Sequence, residues 1–578
     1  MLQELIQKRI LVLDGAMGTM IQQYNLSEED FRGERFKEIP GQMKGNNDML
    51  CLTRPDVVEE IHRKYLEAGA DIIETNTFNA TSVSMADYHM QPYCREINLA
   101  AARMARRIAD EYTAMNPEKP RFVAGAVGPT NKTCSMSPDV NNPAFRALTF
   151  DELEEAYSEQ MEALLEGGVD TLLIETIFDT LNAKAAICAA EKSMEKMGRK
   201  VPLMLSVTVS DVAGRTLSGQ TLEAFLASVQ HADIFSVGLN CSFGAKQLKP
   251  FLEQLARRAP YYISAYPNAG LPNSMGLYDQ SPEEMAAEVK EYIDEGLVNI
   301  IGGCCGTTPD HIRAMIAQCK DLLIKTPEKK VHTIVSSYGQ AVMLGTGSRI
   351  IGERINPTGK KKFKQALKDH DLDYILKEGI MQQDNGAHIL DVNVGLPDID
   401  EVSMMKEVIT ELQSVTSLPL QIDTVDIQAM EQAMRIYNGK PMVNSVSGKQ
   451  ESMDAVFPLI QKYGGVVIGL TLDEDGIPET ADGRVAIAEK IIREAAKYGI
   501  DKKDLVIDVL AMTVSSEPEG AKITLEALHR VRYDLGVNTV LGVSNISFGL
   551  PGRPIINANF YTMAMFQGLS AGIINPAS

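Results

Sequence analysis

The sequence lacks the features of membrane-spanning and secreted proteins. No stretch of about 18 uncharged apolar residues occurs among its 578 residues, so no segment is suited to cross a bilayer as a helix. The first residues, MLQELIQKRILVLDG, soon reach the charged Asp14 and contain neither the apolar core nor the small-residue cleavage site of a signal peptide. We therefore expect a cytoplasmic protein with no membrane partner.

Basic residues are scarce relative to acidic ones. Lys and Arg number 56 against 77 Asp and Glu, which gives a formal net charge of −21 at pH 7. A track of nucleic-acid phosphates would have to overcome the repulsive field of the whole molecule. Nucleic acid is therefore not expected to be a partner.

Cysteine is absent from the last 259 residues of the chain. The eight cysteines end at Cys319, and we expect them to stay reduced in a cytosolic protein. Metal binding or catalysis is therefore favoured over disulfide bonds for this set: Cys51, Cys94, Cys134, Cys188, Cys241, Cys304, Cys305 and Cys319.

One phrase is repeated along the chain: an acidic helix end, one or two glycines, and then a short apolar run that ends in polar residues. It occurs as EAGADIIET (67–75), EGGVDTLLIET (166–176), EGLVNIIGG (295–303), NGAHILDVN (385–393), YGGVVIGLT (463–471) and LGVNTVLGV (535–543). Glycine commonly ends a helix in a left-handed conformation, and a short apolar run suits a strand that is buried on both faces. The phrase predicts a helix followed by a parallel strand.

Eight such strands are predicted in each half of the chain. In the first half they are 10–13, 72–75, 122–127, 171–175, 203–207, 235–239, 262–265 and 299–301. In the second half they are 349–352, 389–393, 420–423, 442–445, 466–470, 505–508, 539–543 and 572–574. Eight βα units in roughly 250 residues predict an α/β fold of two (β/α)8 TIM barrels in tandem, with an open doubly wound sheet as the alternative. We expect barrels at 1–325 and 346–578, joined by a linker at 326–345 that loses the helical period.

Three cysteines follow predicted strands of the first barrel, where barrel enzymes place their chemistry. Cys241 follows strand six, and Cys304 and Cys305 follow strand eight. Three thiols with no obvious fourth ligand favour an open zinc site, since catalytic zinc uses three protein ligands. The alternative is that they are small buried residues, because a free cysteine behaves as a core hydrophobe.

The first half resembles the zinc-dependent homocysteine S-methyltransferase family. The resemblance rests on LDGAMGT (13–19), GLNC (238–241) and GGCCGT (302–307) and covers essentially all of residues 1–320. It implies that Cys241, Cys304 and Cys305 bind zinc and that the homocysteine sulfur takes the open position. Coordination would remove the thiol proton, because a free thiol with a pKa near 8.5 is mostly protonated at pH 7.

The amino and carboxylate groups of homocysteine also need partners. Asp14 and Glu175 end strands one and four and can accept from an ammonium, while the turn that begins at Gly15 can offer backbone N–H groups. The alternative roles are helix capping and salt bridging at the barrel mouth. The predicted homocysteine-binding residues are Asp14, Gly15, Ala16, Met17, Glu175 and Asn240.

The second barrel has isolated polar residues at its strand ends, including Asp423, Asn444, Asp508 and Asn545. Such groups are costly to bury unless they are bonded, and a flat heterocycle with amide and amine edges would satisfy them. The alternative is that they cap helices at the βα junctions. This half, over about 345–575, resembles the pterin-binding methyltransferases in GERIN (352–356), DTVD (423–426), VNS (443–445) and GVSNIS (542–547).

The resemblance implies that 5-methyltetrahydrofolate binds here and that Asn545 lies near N5, where a neutral amide can stabilise the charge that develops as the methyl leaves. Asn545 is therefore the predicted catalytic residue. Dihydropteroate synthase is also similar to this half but has a Lys where this chain has Asn545, which favours methyl transfer. The implied folate-binding residues are Glu353, Asn356, Asp423, Asn444, Asp508, Asn545 and Arg553.

In this order, the two halves resemble the N-terminal half of the cobalamin-dependent methionine synthase family, in which a corrinoid carries the methyl group from folate to homocysteine. The D-x-H-x-x-G signature of its cobalamin module has no match, and the nearest segment, DYHMQP (87–92), ends in Pro. We therefore expect cobalamin to be supplied by a corrinoid-binding domain or protein outside this chain. The alternatives are a cobalamin-independent methyltransferase that uses another donor and a non-catalytic scaffold.

Overall fold

The computed structural model describes residues 1–319 and 324–578, which divide into two compact units. The first unit comprises Met1–Cys134, Arg146–Leu222 and Asp233–Lys330. The second comprises Ser135–Phe145, Glu223–Ala232 and Val331–Ser578. No helix of the described ranges combines the length and the apolar character needed to cross a membrane.

The first unit is built on an eight-stranded parallel sheet in the order β1-β8-β7-β6-β5-β4-β3-β2. Its strands are β1 Leu11–Val12, β2 Ile72–Glu74, β3 Phe122–Val127, β4 Thr171–Ile177, β5 Leu203–Val207, β6 Ile234–Gly244, β7 Tyr262–Asn268 and β8 Ile300–Ile301. A parallel bridge between Leu13 and Ile72 joins the two outer strands, and the N–H of Asp71 donates to Val12 O at 2.7 Å. The sheet is therefore a nearly closed barrel.

The second unit contains a closed barrel in which all eight strands pair in parallel. A two-stranded antiparallel hairpin precedes it, formed by β9 Thr333–Ser336 and β10 Ala341–Leu344. The barrel strands are β11 Arg349–Ile355, β12 Ile389–Val392, β13 Leu420–Asp423, β14 Met442–Ser447, β15 Val466–Leu470, β16 Leu505–Asp508, β17 Asn538–Gly542 and β18 Ala571–Ile574.

Helices alternate with the strands in both halves of the chain. Before β9 the α-helices are α1 Leu2–Leu5, α2 Met17–Gln22, α3 Glu28–Arg32, α4 Leu50–Thr53, α5 Pro55–Ala68, α6 Ser82–Met85, α7 Cys94–Met115, α8 Phe150–Glu166, α9 Thr180–Met197, α10 Leu222–Val229, α11 Ala245–Arg258, α12 Pro282–Asp294 and α13 Pro309–Ile316. After β10 they are α14 Lys361–Asp369, α15 Leu372–Asp384, α16 Glu401–Val415, α17 Ile427–Ile436, α18 Gln450–Tyr463, α19 Ala481–Lys497, α20 Gly520–Tyr533 and α21 Arg553–Phe566. Single 3-10 turns occur at Asn47–Met49, Ala86–Tyr88, Gln91–Tyr93, Lys502–Asp504 and Val543–Ser547.

The repeated glycine phrase forms the junction that its sequence predicts. Helix α5 ends at Gly69, which has φ 109° and ψ 10°, and its N–H closes the last helical turn on Leu66 O. Residues other than glycine rarely adopt this left-handed conformation, so glycine allows the chain to leave the helix and enter the strand at once. The strand that follows, β2, places Ile72 in an apolar core with Leu11 and Ile300.

All sixteen predicted barrel strands are present, and the predicted fold of two parallel eight-stranded barrels is confirmed. Their bounds differ most at β6, which continues through Cys241 to Gly244. The hairpin of β9 and β10 lies in the segment where only a linker was predicted. The domain limits 1–325, 326–345 and 346–578 stay a prediction.

A buried histidine in α5 leads to a prediction about acid stability. His62 is fully buried, and neither ring nitrogen has a hydrogen-bond partner among the described residues. Desolvation lowers its pKa from 6.5 to about 4. The unfolded chain binds this proton at a higher pH than the folded chain does. The free energy of unfolding therefore has its full value above pH 6.5 and falls by about 3 kcal/mol in all as the pH decreases toward 4.

We expect His62→Leu to remove this part of the pH dependence. Urea unfolding of the wild type and the variant between pH 7 and pH 4 measures it, with the exposed His332→Leu as control. If His62→Leu and the wild type lost the same unfolding free energy over this interval, His62 would not be the group responsible.

Candidate active sites

Three thiols meet at the carboxyl end of the first barrel. Cys241 lies in the last part of β6, and Cys304 and Cys305 follow β8. The Sγ atoms of Cys241 and Cys305 are 3.8 Å apart, and all three Sγ atoms lie within 4.8 Å of one another. The structure therefore brings together the three predicted zinc ligands.

The backbone of β6 is distorted where Cys241 lies. Cys241 and Ser242 have φ values of 62° and 59°, which L-residues adopt only at a cost of roughly 1–2 kcal/mol each. The pairing register with β7 shifts between Asn240 and Gly244, so the strand bulges at this point. Such strain is typical of functional sites, and here it accompanies the close approach of the thiols.

The side chain of Asn240 is buried next to the thiols and is held by hydrogen bonds. It is fully buried, and its Oδ1 accepts from Ser206 Oγ at 2.6 Å and from the N–H of Thr176 at 3.2 Å. Its Nδ2 lies 4.0 Å from the Sγ of Cys304. Asn240 was predicted to bind homocysteine, but it does not line the cavity in front of the thiols. Its contacts suit a role in positioning the cysteine loop, the segment that follows β8 and carries Cys304 and Cys305.

Two threonines join the two sequence motifs of the first mouth. Thr307 ends GGCCGT, and its Oγ1 accepts from the N–H of Ala16 at 3.1 Å and donates to Cys304 O at 2.6 Å. Thr19 ends LDGAMGT, and its Oγ1 accepts from the N–H of Gly306 at 3.0 Å. Each motif thus binds the backbone of the other, and we call this arrangement the threonine clasp.

The thiol geometry fits a tetrahedral metal ion. Zinc–sulfur bonds of about 2.3 Å at tetrahedral angles place two sulfurs about 3.8 Å apart, which is the separation of Cys241 and Cys305. Hydrogen bonds from Cys304 and Cys305 lower the pKa of Cys241 to about 3. The hydrogen bond with Cys241 raises the pKa of Cys305 to about 11, and it raises the pKa of Cys304 well above its usual range.

A cavity of about 650 Å³ opens beside the thiols and contains a group of carboxyls. Burial and mutual repulsion raise the pKa values of Asp14 and Glu74 well above their usual range. Burial raises the pKa of Glu175 to about 8 and that of Asp48 to about 7. A cationic group placed among them would offset this cost of desolvation. The predicted homocysteine-binding residues that line the cavity are Asp14, Gly15, Ala16, Met17 and Glu175.

The polar residues of this cavity that sequence reasoning missed include Asp48, Glu74 and Tyr266. A signal existed for Glu74, because it occupies the same place in EAGADIIET as Glu175 occupies in EGGVDTLLIET. Tyr266 donates its hydroxyl to Glu175 Oε2 at 3.3 Å. Neither Asp48, in a 3-10 turn, nor Tyr266 stood out from the sequence pattern.

In the second barrel, polar residues at the ends of β11 to β14 form a connected group. Asp423 Oδ2 accepts from Asn393 Nδ2 at 3.0 Å and from Asn356 Nδ2 at 3.5 Å. Asp423 and Asn444 are register partners of β13 and β14. Burial raises the pKa of Asp423 to about 6. Three predicted folate-binding residues, Asn356, Asp423 and Asn444, therefore lie close together.

The remaining predicted folate-binding residues lie at β11, β16 and the turn after β17. Glu353 Oε2 accepts from Ser544 Oγ at 2.8 Å, and Arg553 donates to Ser544 O at 2.9 Å. Asn545 lies in the 3-10 turn Val543–Ser547 and is exposed. Asp508 ends β16, where burial raises its pKa to about 6. The roles assigned to these residues stay predictions.

A buried arginine that sequence reasoning missed fixes the backbone after Asp508. Arg484 of α19 is 1% exposed and donates to Val509 O at 2.9 Å, to Leu510 O at 2.7 Å and to Thr524 Oγ1 at 3.0 Å. Leu510 has φ 65°, and its N–H donates to Asp508 Oδ1 at 2.7 Å. Arg484 therefore stabilises a strained residue that in turn orients the Asp508 carboxyl.

Comparison with known proteins identifies both halves of the chain. Residues 11–319, more than half of the chain, match the family model described as homocysteine S-methyltransferase. The chain belongs to the homocysteine S-methyltransferase family. Residues 352–575 match the model described as pterin binding enzyme, so this homocysteine S-methyltransferase also contains a pterin-binding domain.

Two solved structures are similar to parts of this homocysteine S-methyltransferase. The metallated homocysteine methyltransferase MmuM from Escherichia coli is 22% identical, with a TM-score of 0.43, over 55% of this chain and 98% of that one. Dihydropteroate synthase from Xanthomonas albilineans, in complex with 7,8-dihydropteroate, is 19% identical, with a TM-score of 0.33, over 42% of this chain and 92% of that one.

The contacts of Arg484 lead to a stability prediction. Arg484→Met leaves the carbonyls of Val509 and Leu510 without their buried donor, so we expect the unfolding free energy to fall by about 3 kcal/mol. Urea unfolding monitored by circular dichroism measures the change. Arg493→Met, an exposed position on the same helix, is the matched control and should change it by less than about 0.5 kcal/mol. Equal stability of the two variants would contradict the role assigned to Arg484.

Proposed function

We propose that this chain transfers the methyl group of 5-methyltetrahydrofolate, through a corrinoid, to zinc-activated homocysteine, giving methionine and tetrahydrofolate. The observation that supports this most directly is the cluster of Cys241, Cys304 and Cys305 beside a cavity of buried carboxyls. Membership of the homocysteine S-methyltransferase family and the match of residues 352–575 to pterin binding enzymes support the two substrates.

At the first barrel, where homocysteine would accept the methyl group, Cys241, Cys304 and Cys305 would hold zinc, and the homocysteine sulfur would bind beside them. Bound zinc supplies the positive charge that keeps this sulfur as a thiolate near pH 7, where a free thiol with a pKa near 8.5 is mostly protonated. A thiolate is the nucleophile that methyl transfer requires. Asn240 and the threonine clasp keep the cysteine loop in place during the transfer.

The same cavity has partners for the amino-acid end of homocysteine. Its ammonium fits among Asp14, Glu74 and Glu175, whose raised pKa values reflect burial without a cation. Its carboxylate fits beside Ala16, near the backbone N–H groups of Gly15 and Met17, since the N–H of Ala16 itself donates to Thr307 Oγ1. These contacts would orient the sulfur toward the thiol cluster.

At the second barrel, where the methyl group would leave the folate, Asp423, Asn444 and Asp508 hold the pterin ring, with Glu353, Asn356 and Arg553 lining the site. Asn545 donates a hydrogen bond near N5 and stabilises the charge that develops there as the methyl leaves. A tertiary amine is a poor leaving group, so a strong nucleophile is required. We assign that role to the reduced corrinoid of a domain or protein outside this chain.

We further propose that the homocysteine barrel spans 1–325 and the folate barrel 346–578, with 326–345 as their linker, and that the protein acts in the cytoplasm. The absence of long apolar segments from the sequence supports the location. The matched ranges 11–319 and 352–575 fall within the two proposed barrels and support the limits.

The zinc assignment predicts one zinc ion per chain. Cys304→Ser should lower zinc content and abolish homocysteine binding, because two thiolates and a hydroxyl bind zinc weakly, while folate binding is retained. Elemental analysis and titration calorimetry measure these effects, with Cys319→Ser as the matched control outside the cluster. Full zinc content in a Cys241, Cys304, Cys305 triple alanine variant would disprove the assignment.

The corrinoid requirement provides the test of the whole reaction. We expect the chain alone to form no methionine from homocysteine and 5-methyltetrahydrofolate, and added reduced cobalamin to support both half-reactions. The measurement is methionine formed with and without cobalamin, with the Cys304→Ser variant as the negative control. Multiple turnovers in a cobalamin-free mixture would overturn the proposal. Methylation of homocysteine by betaine or S-methylmethionine alone would favour a cobalamin-independent enzyme.

A further inference from the structure

A buried group of hydrogen-bonded side chains connects the carboxyls of the first barrel mouth with its thiols. At one end, Tyr266 donates its hydroxyl to Glu175 Oε2 at 3.3 Å. At the other end, Asn240 Nδ2 lies 4.0 Å from Cys304 Sγ. The residues between these ends lie in β4, β5, β6 and β7, and we define the Asn240 network as Thr176, Ser206, Asn240 and Tyr266.

Asn240 binds Thr176 with both ends of its amide. Its Nδ2 donates to Thr176 Oγ1 at 2.9 Å, and its Oδ1 accepts from the N–H of Thr176 at 3.2 Å. Thr176 has φ 54°, a conformation that β-branched residues rarely adopt, and the register of β4 with β5 shifts between Ile174 and Ile177. Because Thr176 directly follows Glu175, these two hydrogen bonds hold the backbone that directs the Glu175 carboxyl toward the cavity.

Ser206 provides a second connection between Glu175 and the Asn240 amide. Its Oγ donates to Asn240 Oδ1 at 2.6 Å, and it lies within hydrogen-bonding reach of Tyr266. Ser206 and Asn240 have no exposed surface, and Tyr266 is 2% exposed. Two routes therefore lead from Glu175 toward the thiols, one through the backbone of Thr176 and one through Tyr266 and Ser206. Both pass through the Asn240 amide.

We propose that the Asn240 network fixes the distance between the carboxyls and the thiols, and so selects an amino-acid thiol with two methylene groups over shorter and longer homologues. This inference rests on the proposed function of the first barrel, in which the ammonium lies among the carboxyls and the sulfur beside the cysteines. A missing methylene displaces the sulfur by roughly 1 Å, and one methylene changes selectivity by about 10- to 200-fold. Because Ser206 and Asn240 do not line the cavity, they are positioning residues that act through Glu175 and Cys304.

The test measures the affinity of the zinc-loaded full chain for cysteine, homocysteine and the homologue with three methylene groups. Titration calorimetry with the wild type should show that homocysteine binds about 100-fold more tightly than either homologue. In Ser206→Ala this preference should fall below about tenfold, because the Asn240 amide loses a buried donor and the spacing relaxes. Elemental analysis should find an unchanged zinc content, since all three cysteines remain.

Two variants of Thr176 separate the hydrogen bond from packing. Thr176→Val has nearly the same shape but cannot accept from Asn240 Nδ2, so it should lower the preference as far as Ser206→Ala does. Thr176→Ser keeps the hydroxyl and should keep the preference. The matched control is Ser158→Ala, which removes a buried hydroxyl that donates to Glu154 O within α8, and it should bind the three thiols as the wild type does.

Equal affinity of the wild type for the three thiols would overturn this inference and leave the proposed function intact. If none of the thiols bound, the proposed function and this inference would both fall. An unchanged preference in Ser206→Ala and Thr176→Val would also overturn the inference. The same holds for an equal loss in Thr176→Ser and Thr176→Val, since packing would then be the cause, and for loss of zinc from both Ser206→Ala and Thr176→Val, since the network would then support only the metal site.

Discussion

Hydrogen bonding between parallel strands in a ring places the carboxyl ends of all eight strands at one end of each barrel. In the first unit, β1 pairs with β8 through Leu11 with Ile300 and Val12 with Ile301. This pairing brings the motif after β1 beside the motif after β8. The carboxyl cavity and the threonine clasp depend on it, because each combines residues that follow β1 with residues that follow β8. The thiol cluster joins the end of β6 to the segment after β8.

Carboxyl groups are buried at the strand ends of both barrels, but their neighbours differ between the two. In the first, Asp14 and Glu175 lie in a cavity next to three thiols, a set that suits a soft metal and an ammonium. In the second, Asp423 is held by two asparagine amides and Asp508 by a backbone N–H, a set that suits a flat ring with donor and acceptor edges. One architecture thus supports two kinds of chemistry, and the side chains at the strand ends decide which.

Most of the fold could be predicted from local sequence signals. Buried parallel strands are short apolar runs, and the glycines before them mark helix ends, so the strand count and order followed directly. The hairpin of β9 and β10 was missed because each strand has only four residues and shows no clear alternation. Helix lengths were less important, since the strand ends position the candidate sites.

The candidate sites were less predictable, because a side chain's environment depends on contacts between distant parts of the chain. The three cysteines were found because thiols at two strand ends are rare. Arg484 was missed because an arginine in the amphipathic segment ADGRVAIAEKIIREA looks exposed, and only the packing of α19 shows it to be buried. Asn240 was predicted to bind homocysteine, and this stays a prediction; its Nδ2 lies 4.0 Å from the Sγ of Cys304, a contact that the sequence does not show.

The threonine clasp has a consequence for how the protein is made. Ala16 and Thr307 are separated by 291 residues, so the two loops cannot meet until nearly all of the first unit has left the ribosome. A nascent chain that stops before β8 contains Asp14 and Glu175 but neither of the adjacent thiols. The growing polypeptide therefore cannot assemble the cluster of three thiols early, and the cluster forms only when β8 completes the barrel.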